Sequence, residues 1–229
     1  MQKDWALTRL AVSGEDATVF LQGQLTCDVE AIEPGAFSPG AWCTPKGRVI
    51  VVFRVERGDN GYNLYLPSVL ADGVGKRLLM YRLRAKVDFD SRPATPADLG
   101  LPDDTSFDDW LADNVRAGVA WIDDALTEQF TPHMLSLDLA GGVSFDKGCY
   151  TGQEVVARTH YRGSSRRRLK RYSGASDAAP GAKIQLDGRD IGTVVNVAGD
   201  ECLAVVPVED ADASLSVDGA PLTLLELPY

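Results

Sequence analysis

The spacing of apolar residues changes several times along the chain, and each change marks an expected element. Residues 4–12 alternate imperfectly between apolar and polar and read as an opening strand. Ser13 and Asp16 stand at about the spacing of a capping box, and Ala17, Phe20 and Leu21 form the stripe of a helix ending at Gly23. Gln24 to Val29 continues as a turn or short helix. Residues 36–43 suggest a second strand, Thr44-Pro45-Lys46-Gly47 a turn, and the β-branched run Val49 to Val55 a central strand. Gly58-Asp59-Asn60-Gly61 then turns the chain into a hairpin partner at Tyr62 to Leu66. After Pro67, the four-residue recurrence of Leu70, Val74 and Leu78, followed by Tyr81, predicts a helix, and Ala85 to Phe89 returns as a strand.

The pattern weakens over residues 90–106, where Pro93, Pro96, Pro102 and several acids suggest a linker or surface excursion. Phe107 to Val115 reads as a short helix carrying Trp110, Leu111 and Val115, and residues 116–142 show no clear period. Thr151 and Glu154 have capping-box spacing, which predicts a helix from Gly152 to His160 with a left-handed stop at Gly163. Beyond the basic run, Asp187-Gly188 separates strands at Lys183 to Leu186 and Ile191 to Val197. Further strands are expected at Cys202 to Val208 and, after Asp218-Gly219, at Leu222 to Leu227. Four or five strands in this space suggest a small antiparallel barrel. The whole reads as α+β, with helices against mostly antiparallel sheets, in units at 1–89, 90–165 and 166–229.

Composition adds an ordinary globular core, at 45% hydrophobic over 229 residues. No basic-then-apolar leader and no bilayer-length apolar run are present, so a cytoplasmic protein without a membrane span is expected. The net charge of −10 opposes indiscriminate nucleic-acid binding, but it is unevenly placed. Lys147 to Arg171 carries eight cations and one anion, a net +7 that leaves −17 on the remainder. Arg162, Arg166, Arg167 and Arg168, with Lys170 and Arg171, can form an anion site, or a solvated loop paired with nearby acids.

Four cysteines, at positions 27, 43, 149 and 202, show no metal or thioredoxin spacing, and no metal site is expected. Cys149 differs from the other three. It lies between Gly148 and Gly152, beside Lys147 and ahead of a predicted helix start, and both positive charges favour a thiolate. A thiol flanked by glycines is equally compatible with a structural turn. Of the two histidines, His133 lies in the irregular segment and His160 in the predicted helix.

Read together, Lys147, Gly148, Cys149, Tyr150, Thr151, Gly152, Gln153, Glu154 and Arg158 resemble the signature of the YgfZ family, folate-binding proteins related to the aminomethyltransferase of the glycine cleavage system. Supporting similarities occur at Gln22 to Thr26 with Asp28-Val29, Pro45 to Arg48, Leu83 to Val87, Phe130 to Pro132 and Gly141 to Phe145. The resemblance implies a ring-like arrangement of α+β units and a terminal barrel around a folate pocket, with residues 1–89 as a folate-binding unit. Trp5 and Trp110 match the family's folate-contacting tryptophans, whose flat indole faces suit a pterin or aminobenzoyl group. Two departures stand out. His133 and Ser136 replace the more usual glutamine and asparagine, and the chain is short near residues 90–106, which reduces the middle unit.

The expected function is that of a tetrahydrofolate-binding accessory protein, more so than an enzyme, that supports iron–sulfur proteins and thereby tRNA modification. Cys149 would be a redox or transfer thiol. It cannot hold a cluster alone, because clusters take several protein ligands. Two alternatives differ in class. A one-carbon transferase needs a buried carboxylate near the folate, which Cys43 to Arg48 lacks. Direct tRNA binding would use residues 162–171, although that run could instead hold the polyglutamate tail of a cellular folate.

Overall fold

The computed structural model describes residues 5–163 and 165–229, apart from the side chain of Arg162. Strands β1 (Leu7–Ser13), β2 (Phe37–Cys43), β3 (Val49–Gly58), β4 (Gly61–Pro67) and β5 (Asp88–Pro93) form one antiparallel sheet in the order β2-β3-β4-β1-β5. Two helices, α1 (Ala17–Gln22) and α2 (Ser68–Arg82), supply Phe20, Leu21, Val74 and Leu78 to the core on one face of this sheet. Val51, Phe53 and Val55 of β3 point into that core, whereas Val49 and Val52 join Ala41 and Cys43 against Leu135, Leu137, Val195 and Val205. Both faces of β3 are therefore covered, and its apolar run is continuous where a half-exposed strand would alternate.

The local predictions need several corrections. Ser13 ends β1, and Asp16 takes the cap position of α1 without a side-chain cap. Its carboxylate accepts from the Lys86 amide at 2.7 Å instead. The strand expected at 85–89 occupies Asp88–Pro93, in register with β1 from Ser13↔Asp88 to Thr8↔Pro93. Pro93 is tolerated because β5 is an edge strand. The sheet thus extends past residue 89, and residues 90–106 are more ordered than a linker. A 3-10 turn at Pro96–Leu99 is capped reciprocally by Thr95 and Asp98, and Asp98 also pairs with Arg92.

Helix α3 (Phe107–Ala117) starts at Ser106, whose hydroxyl accepts from the Asp109 amide at 3.0 Å. The chain then runs through turns to α4 (Gln153–Arg162). The barrel contains β6 (Arg167–Ser173), β7 (Lys183–Leu186), β8 (Arg189–Ala198), β9 (Glu201–Pro207), β10 (Ser216–Val217), β11 (Ala220–Pro221) and β12 (Thr223–Leu225). Their order, β11-β10-β7-β8-β9-β6-β12, makes a nearly closed seven-stranded sheet. The excess over the expected strands comes from the two-residue pair β10 and β11 and from β6, which is the basic run itself. At the predicted hairpin, Asp187 and Gly188 both have positive φ (50° and 74°), as a tight two-residue turn requires. Among the described residues, no helix is long and apolar enough to cross a membrane.

Candidate functional site

Three stretches singled out in the sequence meet around Cys149. Thr26, fully buried, donates its hydroxyl to the Gly142 carbonyl at 2.6 Å and accepts from the Ala41 amide at 2.9 Å. Ser144 donates its amide to the Thr26 carbonyl, and Thr151 donates its amide to that of Gly23. Lys147 reaches inward, its ammonium donating to the Leu25 carbonyl at 2.8 Å and the Cys27 carbonyl at 2.6 Å. Burial lowers its pKa to about 8. The lysine thus anchors the loop through two of its three donors, where the sequence suggested a cation activating Cys149. Tyr150 is buried with its ring 5.4 Å from that ammonium, and its hydroxyl has no partner.

The expected capping box does not form. Gly152 is the cap of α4, with φ 85° and no side-chain hydrogen bond, and a Cβ there would lie 2.5 Å from the Thr44 carbonyl oxygen. This close seating against the Thr44–Gly47 turn moves the helix start to Gln153. Glu154 stands exposed in the first turn and Arg158 exposed further along, while Gly163 is extended (φ −172°) where a left-handed stop was predicted. Cys149 is exposed, beside an exposed Gly148, whereas Cys27, Cys43 and Cys202 are buried. Burial pushes each of those three thiols up to about 12, which suppresses their thiolates.

The basic run is not a free loop. In β6, Arg168 donates to Asp138 at 2.5 Å and to the His133 carbonyl at 3.1 Å, Arg171 pairs with Glu201 at 2.7 Å, and Arg167 donates to the Ile191 carbonyl. The expected anion site therefore loses Arg167 and Arg168 to internal partners. Arg166 remains exposed, and the side chain of Arg162 lies outside the described residues. His133 and Ser136 are buried in the irregular segment, where Phe145 lies 6.0 Å from His133 and stacks on His160 at 3.7 Å. Ser136 lines a separate groove with Arg168 and Tyr229.

A second region gathers the tryptophans. Trp5 donates to the Thr105 carbonyl at 3.2 Å and lies 5.9 Å from Trp110, whose ring is 4.8 Å from Trp121. Phe107 completes the aromatic group, 5.4 Å from Trp110. A cleft of about 240 Å³ opens between Leu7, Pro67, Phe107, Trp110 and Trp121, with Asp123 at its wall. Across Trp121 lies a second cleft of about 190 Å³, lined by Phe37, Pro39, Phe53, Arg54 and Asn114. Trp121 is fixed from the barrel: Asn196 on β8 accepts from its amide and donates to its carbonyl, both at 2.8 Å. The indole N–H groups of Trp110 and Trp121 are buried without acceptors. Such orphaned donors cost roughly 1–3 kcal/mol each, and they suit a ligand that is flat, largely apolar and supplied with acceptors.

Trp121, Asp123, Arg54 and Asn196 carried no sequence signal of their own. Asp123 is notable because burial raises its carboxyl above the usual carboxylate range. The cleft and the thiol loop are joined by β2: Phe37 and Pro39 line the second cleft, and Cys43 abuts Gly152. At ~3.3 Å per residue the two regions lie on the order of 15–20 Å apart along the strand.

Comparison with known proteins agrees with this architecture. Residues 166–228 match the family described as CAF17, C-terminal beta-barrel domain. The fold is similar to the glycine cleavage system aminomethyltransferase T from Bartonella henselae, with a TM-score of 0.74 at 16% identity, covering 98% of this chain and 84% of that one. A tRNA-modifying protein YgfZ from Aliivibrio fischeri (strain MJ11) is 27% identical over 289 aligned positions, more than the length of this chain, covering 99% of it and 90% of the relative. The tRNA-modifying protein YgfZ of Klebsiella pneumoniae (strain 342) is 31% identical, covering 80% of this chain and 74% of the relative. With that identity over that share of both proteins, the chain belongs to the YgfZ family.

Proposed function

We propose that this protein binds tetrahydrofolate or a derivative in the tryptophan-lined clefts and acts as an accessory protein to iron–sulfur proteins, and through them to tRNA modification, with Cys149 as its working thiol. The observation that carries the folate reading is the buried, unpaired N–H of Trp110 in a cleft walled by aromatic rings. Trp5, tied to Thr105 and packed on Trp110, forms the outer part of the same aromatic group. A pterin offers ring nitrogens and a carbonyl as acceptors and a flat face for stacking. Cys149 supports the accessory reading differently: it is the solvent-exposed free cysteine among the described residues, on a loop whose other polar groups are mostly tied down. Among those residues no group of three or more His, Cys, Asp or Glu is placed to hold a metal ion, so any cluster contact would need a ligand from the client.

Tryptophan fluorescence titrated with tetrahydrofolate tests the binding half, and Cys149→Ser in a strain lacking the protein tests the thiol half. Quenching in the wild type and failure of the serine variant to restore tRNA modification are expected. Absence of quenching, together with full complementation by the variant, would remove both halves.

Asp123 favours the one-carbon-transferase alternative. β3 provides no carboxylate through Val49–Phe53, yet the irregular segment brings this raised carboxyl to the cleft wall. Formation of methylenetetrahydrofolate from an aminomethyl donor, abolished by Asp123→Asn, would establish that reading.

A further inference from the structure

We infer that Arg54 and the cleft beyond Trp121 hold the benzoyl-glutamate end of the ligand, with Arg54 receiving its carboxylate. The inference rests on the folate reading and assigns an orientation within it. Arg54 lies on the face of β3 turned toward α3 and Trp121, its guanidinium carbon 4.1 Å over the centre of the Phe37 ring. Its Nε is buried with no acceptor, and among the described residues it makes no ion pair. Glu56, next along the same face, accepts through one oxygen from the Asn63 amide group at 2.7 Å and the Tyr65 hydroxyl at 2.8 Å. An arginine held over a ring, partly desolvated and without a direct ion pair, although Glu56 lies near enough to act on its charge, can receive a planar anion, because its fork matches a carboxylate in two parallel hydrogen bonds.

The surroundings narrow the anion. Phe37, Pro39 and Trp121 make the cleft largely apolar and aromatic, with Asn114 and Ser38 as further polar groups, so the partner should carry an aromatic ring close to its carboxylate. The aminobenzoyl-glutamate half of a folate has that form. Trp121 is a wall common to both clefts, which places the other half beside Trp110, where the second orphaned indole donor lies. The basic run competes poorly for the same carboxylate, since Arg167, Arg168 and Arg171 already have partners within the protein.

Tetrahydropteroate, which lacks the glutamate, separates the two levels of the argument. Wild-type protein is expected to bind tetrahydrofolate roughly 10- to 100-fold more tightly than tetrahydropteroate, the range of a charge-assisted pair. Arg54→Met should erase that ratio by weakening tetrahydrofolate alone. Arg54→Lys, which keeps the charge and loses the fork, should fall between, and it carries the test if the methionine variant folds poorly. Equal wild-type affinity for both ligands, or equal loss of both in either variant, would overturn the assignment of Arg54 and leave the folate reading standing. Failure of the wild type to bind either ligand would overturn the folate reading itself.

Discussion

The loop around Cys149 and the clefts around Trp121 sit toward opposite ends of β2 and are built on opposite principles. In the loop, backbone and side-chain polar groups are mostly matched, across Gly23, Thr26, Gly142, Lys147 and Thr151 with the buried Tyr150 hydroxyl as an exception, and a single thiol is left facing solvent. In the clefts, the donors of Trp110, Trp121 and Arg54 are buried with nothing to receive them. A largely paired hydrogen-bond network that exposes one thiol suits contact with another macromolecule, whereas an open set of buried donors suits a small ligand. On the proposed reading, the loop is a contact point and the clefts are a binding pocket.

The largest effect expected on the loop comes from Gly152→Ala. The added Cβ would meet the Thr44 carbonyl at 2.5 Å in a backbone conformation with φ 85°, and a loss of about 3 kcal/mol in urea unfolding is expected. If the two regions are independent, the fraction still folded should bind tetrahydrofolate normally. A second comparison removes one working group from each region. Trp110→Leu should weaken tetrahydrofolate by roughly tenfold or more, through lost stacking and a lost donor, while Cys149→Ser leaves that affinity unchanged. Reversal of this pattern in a fluorescence or calorimetric titration would merge the two regions into one site.

Smaller effects sharpen the account of how each region is held. Asn196→Ala removes both bonds that fix Trp121, and a stability loss of about 1–3 kcal/mol with a several-fold weaker ligand affinity is expected. A loss of stability without any change in affinity would show that the barrel does not position Trp121 for binding. His133 gives the smallest effect. Burial holds its pKa below the ordinary 6.5, with Asp138 opposing and Arg168 and His160 adding to the shift. The unfolded chain therefore binds the proton more tightly, and stability should fall as pH drops below 6.5, by at most about 1.4 kcal/mol per pH unit from this residue. His133→Gln should flatten that slope in denaturation measured between pH 7 and pH 5.

The two regions also differ in how far the amino-acid sequence reveals them. The loop is a contiguous motif, and the stretches it packs on, Gln22 to Thr26 and Thr44 to Gly47, are themselves recognisable segments. Its finer workings were hidden because they depend on tertiary approach: Gly152 against Thr44 excludes the predicted capping box, and Lys147 turns inward to Leu25 and Cys27. In the clefts, Trp5 and Trp110 were accessible through resemblance alone. Trp121 lies where no periodicity guides a reading, Arg54 interrupts an apolar strand, and Asn196 comes from a distant barrel strand with a register shift beside it. Elements with strong periods or turn chemistry were legible, including the β3–β4 hairpin, α2 and the Asp187-Gly188 turn. Composition leaves the basic run open between an anion site and a solvated loop paired with acids; the pairing with acids is present in Arg168–Asp138 and Arg171–Glu201, but strand pairing with β9 and β12 decides the conformation of Arg167 to Ser173.

The most direct measurement is a crystal structure of this protein with tetrahydrofolate bound. The account predicts density spanning both sides of Trp121, with a ligand acceptor within hydrogen-bonding distance of the Trp110 indole nitrogen and a carboxylate on Arg54. Density seated on the Arg166–Arg168 side of the barrel or against Cys149, with the clefts empty, would contradict it.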